Sequence, residues 1–286
     1  MNPEKFVLGT ANLGTSYGIN NPQSYNRENS LNILKHAISR GITKFDTATE
    51  YGEAENLIGE ITGPGNNYKI ITKVPTQDSY SYEYVKKSLE ASTSKLQQKK
   101  IYGLMFHDPD IHKKDNIQEI SKRLLDAGAV NQIGFSAYTL DAILTAKDKY
   151  PEWTIFQVPE NILDRRLYGS QELLEMARQE NTFFIRSIFL QGLLLMDLDK
   201  LPSKFQSVRG VLENLNLIAR EKGVNVIDIC LSYASSIPWG SGIIVAAASE
   251  HQLDQILNFR NIEIELNQIK SLPNQLLDPR HWGALK

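Results

Sequence analysis

The sequence predicts an α/β protein built around a parallel β-sheet, and three observations support this fold class. Eight short apolar runs have strand character, and the segments between them repeat apolar residues every three or four positions. This alternation is typical of parallel strands joined by helices. No linker or further repeat divides the 286 residues, so we expect a single domain over residues 1–286. Closed barrels and open doubly wound sheets both show such alternation.

The first strand and the loop after it help to distinguish a closed barrel from an open doubly wound sheet. An open sheet that binds a dinucleotide usually carries a GxGxxG fingerprint directly after its first strand. The corresponding segment reads GTANLG (residues 9–14), in which the glycines have a different spacing. The missing fingerprint disfavours the open sheet, although periodicity alone does not close a barrel.

The remaining elements are predicted from the same apolar runs, for strands, and the same three- or four-residue spacing, for helices. The first helix carries Leu31, Leu34 and Ile38 on one face, ends at Gly41, and follows a polar loop at residues 11–24. The predicted strands are residues 6–10, 41–45, 68–73, 101–107, 131–136, 153–158, 182–186 and 242–247. The predicted helices are residues 31–38, 54–61, 82–96, 116–127, 140–149, 170–179, 207–222, 227–235, 250–257 and 263–272.

Composition excludes several classes of partner. The 31 basic and 33 acidic residues nearly balance, so we expect no long-range attraction to nucleic acid or to an anionic membrane. No apolar run approaches the roughly 20 residues of a membrane span, and the first five residues lack the apolar core of a signal peptide. The single Cys230 lies in an apolar segment and is predicted to be a buried packing thiol. We therefore expect a cytoplasmic protein, which we take to be a monomer.

Four side chains that can handle protons lie at or just after three predicted strands. Asp46 follows the second strand, Tyr51 comes five residues later, and Lys73 and His107 end the third and fourth strands. In a (β/α)8 barrel these strand ends meet on one face. Taken singly, each has an ordinary structural explanation, such as a helix cap or a solvated strand end. Their combination predicts one shared active site.

The chemistry of such a site can be stated from the side chains alone. A phenol has a pKa near 10, and a nearby ammonium held by a carboxylate should lower it. We expect Lys73, held by Asp46, to act in this way on Tyr51. An imidazole at His107 could donate a hydrogen bond to a substrate carbonyl oxygen. None of these groups supplies hydride, so a nicotinamide cofactor is required.

These segments also resemble a known family. FDTATEYG (residues 45–52), ITK (71–73) and LMFHD (104–108) are similar to the catalytic tetrad of the aldo-keto reductase superfamily. The resemblance implies a (β/α)8 TIM barrel that binds NADPH, or possibly NADH, without a Rossmann domain. It also implies reduction of an aldehyde or ketone, a sugar carbonyl among them. Tyr51 would be the general acid–base, tuned by Lys73 and Asp46, and His107 would orient the carbonyl.

The resemblance further implies cofactor contacts at the ends of strands five to eight. Ser136 and Gln157 would bind the nicotinamide carboxamide, and the strand-eight turn and short helix would hold the adenosine phosphate end, which suits a helix N-terminus. The implied cofactor residues are Ser136, Gln157, Arg186, Ser187, Leu190, Gly192, Ala247, Ser249 and Gln252.

Several positions depart from the family pattern. Ala137 stands where an Asn is common, and Arg186 replaces an aromatic residue that stacks on nicotinamide. Its guanidinium could stack on the ring, grip a cofactor phosphate or bind an acidic substrate. Ala246 and Gln252 stand where many members place basic residues for a 2′-phosphate. NADPH is the expected cofactor, and these changes leave NADH open.

Substrate and rival functions are less constrained. Residues 17–25, 108–114, 161–168 and 276–286 are the candidate substrate walls. Arg165 and Arg166 fit either an anionic or polyhydroxylated substrate or a solvated charge pair, and His281 with Trp282 either caps the pocket or packs on the barrel. Segments 12–21 and 186–192 resemble a bacterial branch associated with surface-sugar pathways.

Two other functions fit part of the pattern. One is a nicotinamide-binding regulatory protein with the same fold and little turnover. The other is a lyase or isomerase that uses the amine of Lys73. The five His residues are scattered and form no HxH or HExxH pair, so no metal site is expected.

Overall fold

The computed structural model describes residues 3–16, 19, 25–65, 68–270, 272 and 274–284. Its eight parallel strands form a closed barrel in which each strand pairs with the next and the last pairs with the first. The strands are β1 (Phe6–Gly9), β2 (Lys44–Asp46), β3 (Lys69–Val74), β4 (Ile101–Phe106), β5 (Val130–Ser136), β6 (Ile155–Pro159), β7 (Thr182–Arg186) and β8 (Gly242–Val245). Closure confirms the (β/α)8 barrel and rules out the open sheet.

Helices connect the strands and surround the barrel. The α-helices of the described residues are α1 (Ala11–Gly14), α2 (Arg27–Ser39), α3 (Ala54–Thr62), α4 (Tyr82–Lys95), α5 (Ile117–Asp126), α6 (Leu140–Lys149), α7 (Gln171–Arg178), α8 (Arg209–Glu221), α9 (Val226–Ser236), α10 (Glu250–Leu257) and α11 (Asn274–Leu277). Side-chain caps begin several of them, as at Ser81 before α4 and Thr139 before α6. None of the described helices has the length and apolar character needed to cross a bilayer.

Two apolar layers stabilise the barrel. A small cluster contains one residue from each of five strands, namely Val7, Ile71, Met105, Ile155 and Phe184. The neighbouring positions face the other way, since side chains alternate along a strand, and they pack beneath the helices in a second, much larger cluster. The barrel interior is therefore a packed core at this level.

Most predicted elements are confirmed. Two differ from the prediction: the start of β2 and the last predicted helix. β2 begins at Lys44 rather than Gly41, because Gly41 has φ +86° and belongs to the turn after α2. The helix predicted at residues 263–272 is wrong: residues 263–265 are irregular and Leu266–Gln268 is a short 3-10 turn. Arg165 donates to the carbonyls of Leu266 (2.6 Å) and Ile269 (2.9 Å), which an α-helix would use internally.

The prediction for the single cysteine is also confirmed. Cys230 lies in α9 and is fully buried. Burial raises the pKa of its thiol to about 12. The residue is a small apolar packing group and is unreactive at neutral pH.

One buried acid makes the stability of the barrel depend on pH. Glu160 follows β6 and is fully buried, with the Tyr233 hydroxyl of α9 2.5 Å from one carboxyl oxygen and the Leu167 amide 3.2 Å from the other. Burial raises the pKa of Glu160 to about 8. Because the folded-state pKa lies above the ordinary value near 4.3, the folded protein binds the extra proton between these values.

We expect the free energy of unfolding to fall as the pH rises from about 5 to about 8. Glu160→Gln should remove part of this fall, a few kcal/mol at about 1.4 kcal/mol for each pKa unit. Denaturant unfolding of both proteins at several pH values measures the difference. Glu90→Gln, on the exposed face of α4, is the control. Parallel curves for the wild-type protein and Glu160→Gln would contradict the prediction.

Candidate active site

The strand period places the predicted catalytic residues inside the barrel. Lys73, His107, Gln157 and Arg186 each lie two residues after a member of the small inner cluster, and so share its inward-facing side. Asp46 ends β2 beside them. The inner core thus carries a polar layer at the C-terminal ends of the strands, where barrel active sites lie.

A cavity of about 310 Å³ opens at this end, and its wall contains residues of seven strands together with His107, which directly follows β4. The four residues predicted as catalytic, Asp46, Tyr51, Lys73 and His107, line it together. The other lining residues are Gly9, Thr10, Ala11, Asn12, Ser136, Tyr138, Gln157, Arg186, Ser187, Ile188, Phe189, Gln191, Gly192, Leu195, Ile244, Ala246, Ala247, Ala248 and Gln252. The volume is in the range typical of small-molecule sites.

A buried ion pair lies at the base of the cavity. Lys73 Nζ donates to both carboxylate oxygens of Asp46, at 2.7 and 2.8 Å, and to the Thr47 carbonyl at 2.9 Å. The amide of Gln157 donates to the same Asp46 carboxylate. Only 2% of the Lys73 side chain is exposed. These acceptors engage the Lys73 Nζ atom, which opposes its use as an amine nucleophile.

Tyr51 lies directly beside this pair. Lys73 Nζ is 5.1 Å from the centroid of the phenol ring. Burial, and then the carboxylate of Asp46, raise the pKa of Tyr51 above its ordinary value near 10. The expectation of a lowered pKa is therefore wrong, chiefly because burial disfavours the charged phenolate. The phenol therefore keeps its proton through the neutral range.

His107 faces Tyr51 across the cavity. The two rings are 6.1 Å apart and nearly perpendicular. His107 Nδ1 is 2.9 Å from the Oε2 atom of Glu50, the residue before Tyr51. Burial, and then the charge of Lys73, lower the pKa of the imidazole. A carboxylate can only accept, so the neutral ring carries its hydrogen on Nδ1 and a lone pair on Nε2.

The residues predicted to bind cofactor divide into two groups. Ser136, Gln157, Arg186, Ser187, Gly192, Ala247 and Gln252 line the cavity, whereas Leu190 and Ser249 do not. Leu190 is buried in the hydrophobic core. Ser249 accepts a hydrogen bond from the Gln252 amide and caps α10. The side chain of Gln252 accepts from the Ala248 amide at 2.6 Å.

The segment after β7 has an unusual backbone. Ser187, Leu190 and Gln191 have φ values of 62°, 47° and 54°, and Gly192 has 92°. Non-glycine residues in this region cost about 1–3 kcal/mol each and tend to cluster at ligand sites. The strain brings Ser187, Gln191 and Gly192 to the cavity wall.

Three further residues of the site were not predicted from sequence. Asn12 lines the cavity; its side-chain amide donates to the Ala247 carbonyl at 2.7 Å, and its Oδ1 atom is buried without a partner among the described residues. Tyr138 lines the cavity beside Arg186, and Glu50 contacts His107. Asn12 and Glu50 belong to motifs singled out above. Their contacts were not predicted because they join segments that are far apart in the sequence.

The predicted substrate walls contribute little to this cavity. Residues 17, 18 and 20–24 lie outside the described part of the chain, and no described residue of the other three predicted walls lines the cavity. Arg166 forms a bidentate pair with Asp164 at 2.7 and 2.8 Å, and Arg165 holds the C-terminal segment. Trp282 is buried and packs on Phe205, so it lies on the barrel and does not cap the pocket.

The sequence also matches a known protein family. The model described as Aldo/keto reductase family matches residues 5–274. The chain belongs to the aldo/keto reductase family. This membership confirms the resemblance inferred from the tetrad motifs and supports oxidoreductase activity on carbonyl compounds.

Relatives cover nearly all of this aldo/keto reductase. D-arabinose 1-dehydrogenase of Saccharomyces cerevisiae is 25% identical, over 95% of this chain and 88% of that protein. L-galactose dehydrogenase of Arabidopsis thaliana is 23% identical, over 87% of this chain and 81% of that protein. The glycerol dehydrogenase structure from Gluconobacter oxydans superposes with a TM-score of 0.70 at 18% identity, covering 94% and 93% of the two chains. The structural likeness supports the barrel fold.

The close contact between Gly14 and the Tyr51 loop gives a test of this geometry. A methyl group at Gly14 would overlap the Tyr51 carbonyl oxygen, whereas one at Gly169 would meet nothing within 4 Å. We expect Gly14→Ala to reduce the free energy of unfolding by about 1–3 kcal/mol. It should also lower kcat/KM at least about tenfold by displacing Tyr51. Gly169→Ala is the matched control, and equal behaviour of the two variants would contradict the prediction.

Proposed function

We propose that the protein reduces an aldehyde or ketone to an alcohol with NADPH or NADH, and that Tyr51 donates the proton. The observation that carries this proposal is the placement of a protonated phenol, an imidazole and a buried ion pair around one cavity. Such a set suits a carbonyl oxygen that becomes negative during reduction. Lys73 is engaged by Asp46, which weighs against the amine-based lyase or isomerase.

The cavity fits a nicotinamide cofactor. Ser136 and Gln157 offer a hydroxyl and an amide at the ends of adjacent strands, and the buried Oδ1 of Asn12 can accept from a ligand donor. When bound, the cofactor supplies the hydride. The lining residues from β8 onward, Ile244, Ala246, Ala247, Ala248 and Gln252, carry no positive charge for a 2′-phosphate. Both NADPH and NADH are therefore candidates.

Tyr51 acts as an acid in this proposal. Its raised pKa keeps the phenol protonated at neutral pH, so a proton is available when negative charge develops on the carbonyl oxygen. Lys73 remains charged 5.1 Å from the ring centroid and favours the phenolate that forms after transfer. Asp46 and the Thr47 carbonyl hold that ammonium in place. These features favour the reductive direction.

His107 needs a proton to assist. With Glu50 at Nδ1, the neutral ring presents a lone pair at Nε2 and repels a carbonyl oxygen. The imidazolium donates from both nitrogens and polarises the carbonyl while remaining paired with Glu50. We therefore propose that reduction uses the protonated form of His107.

The named relatives indicate a substrate class. Two of them carry sugar names, D-arabinose and L-galactose, in their titles as dehydrogenases. We propose that this protein acts on a small polyhydroxylated carbonyl compound, as the surface-sugar resemblance also indicates. The protein would work in the cytoplasm on a diffusible substrate.

The role of Tyr51 is tested by removing only its hydroxyl. Tyr51→Phe should lower kcat for carbonyl reduction by roughly 10²- to 10⁴-fold, because the proton donor is lost. Tyr102→Phe, near the opposite end of the barrel, should keep normal turnover. Fluorescence titration with NADPH and NADH should give similar Kd values for all three proteins. Full turnover by Tyr51→Phe would overturn the mechanism.

The role of Glu50 is tested by a pH profile. In the wild-type protein kcat/KM for reduction should fall as the pH rises through the lowered pKa of His107, on the acidic side of neutrality. Glu50→Gln allows the neutral Nε2–H tautomer, since an amide can donate to Nδ1. Its profile should be flatter between about pH 5 and 8.

The charged surroundings of His107 are Glu50, Lys73 and Asp46, and only Glu50 changes in this variant. Glu53→Gln, on the same loop and exposed, is the control. Unchanged pH dependence in Glu50→Gln would show that Glu50 does not set the tautomer of His107.

A further inference from the structure

Arg186 is a cation inside the cavity with unsatisfied hydrogen-bonding capacity. It ends β7, and its Nε atom is buried without a partner among the described residues. Within the described part of the chain, its two terminal nitrogens make only long contacts, to Ser187 Oγ at 3.3 Å and to the Ala137 carbonyl at 3.5 Å. Desolvating a guanidinium in this way is costly unless an anion completes the site.

The charges along the cavity wall do not compensate Arg186. The other formally charged lining residues are Asp46 and Lys73, which neutralise each other in the ion pair described above. Glu50, which is hydrogen-bonded to His107, does not line the cavity. The described part of the wall therefore carries about one excess positive charge, and its source is Arg186.

Neighbouring side chains hold the guanidinium in position. Arg186 lies 4.3 Å from the centroid of the Tyr138 ring, and Arg280 from the C-terminal segment lies 3.5 Å from the same ring. Arg280 is itself bound by Asp278, with Nε 2.9 Å from Oδ2 and Nη2 2.5 Å from the same atom. Its charge is thus matched, whereas that of Arg186 is not. Such preorganisation suits a planar, bidentate partner.

Arg186 lies at the reacting end of the cavity. Its charge opposes the rise in the pKa of Tyr51, so the two groups are electrostatically coupled. Its backbone pairs with Pro159, two residues beyond Gln157, which in turn contacts Asp46. A ligand group bound by Arg186 would therefore lie near the carbonyl that Tyr51 protonates.

We propose that Arg186 binds an anionic group of the substrate, so that the preferred substrate is a carbonyl compound bearing a carboxylate, such as a sugar acid. This inference rests on the proposed carbonyl reduction and adds the charge class of its substrate. A cofactor phosphate offers the same anionic chemistry, and the experiment separates the two sources.

The test uses aldehydes that differ only in charge. The 3- and 4-formylbenzoates are compared with the corresponding formylbenzamides, which have nearly the same shape and no charge. Steady-state kinetics are measured for the wild-type protein, Arg186→Gln and Arg186→Lys. Arg123→Gln is the matched control, since Arg123 also stacks on a tyrosine, 3.5 Å from the Tyr82 ring, on the outer helices. Kd values for NADPH and NADH are measured in parallel.

The proposal predicts a specific pattern. The ratio of kcat/KM for formylbenzoate to that for formylbenzamide should fall roughly 10- to 100-fold in Arg186→Gln, the effect of losing a hydrogen bond to a charged group. Arg186→Lys should recover part of the ratio, and Arg123→Gln should leave it unchanged. An unchanged ratio in Arg186→Gln, with weaker binding of both cofactors, would assign the guanidinium to a cofactor phosphate and overturn the proposal.

A binding measurement keeps the subsite testable if turnover is absent. Failure of both cofactors to support reduction of any of these aldehydes, and of the sugars D-arabinose and L-galactose, would refute the proposed function. Calorimetry with the hydroxymethylbenzoates and hydroxymethylbenzamides then measures binding to the Arg186 subsite without any need for turnover. Preference of the wild-type protein for the carboxylates, lost in Arg186→Gln, would support the anion subsite. Equal binding of acid and amide would overturn it.

Discussion

The buried ion pair between Asp46 and Lys73 is the interaction on which the rest of the site depends. It joins the ends of β2 and β3, and the Gln157 amide ties it to β6 across the barrel. Removing one partner of such a pair typically costs about 3–5 kcal/mol, because the other charge stays buried and unpaired. The carboxylate of this pair also raises the pKa of Tyr51, although burial is the larger cause.

This arrangement divides the work among the proton-handling groups. The ion pair is held by three hydrogen bonds from Lys73, two to Asp46 and one to the Thr47 carbonyl. Tyr51 retains a proton in the neutral range, and His107 is tied to Glu50. Arg186 then provides the uncompensated charge of the described wall. In the proposed mechanism, the site combines a neutral acid, a pH-dependent hydrogen-bond donor and a fixed cation.

Local patterns were sufficient for most of the fold and for the tetrad, but they failed where a distant partner decided the outcome. The apolar residues after 262 suggested a helix, yet Arg165 takes the carbonyls of Leu266 and Ile269 and keeps the segment irregular. Lys73 was expected to lower the pKa of Tyr51, but the depth of burial and the position of Asp46 reverse the direction. Neither burial nor pairing geometry can be deduced from spacing.

The sequence by itself determined the alternation of strands and helices, the family, and the four residues that meet in the cavity. The alternation and the strand-end positions follow from short-range periodicity, because inward-facing positions recur every second residue and strand ends converge. The family followed from the resemblance of the tetrad motifs. Only the tertiary structure decided that the barrel closes, that Glu50 binds His107, and that Arg186 stands without a compensating carboxylate. Each of these depends on contacts between residues far apart in the chain, and burial then sets their strength.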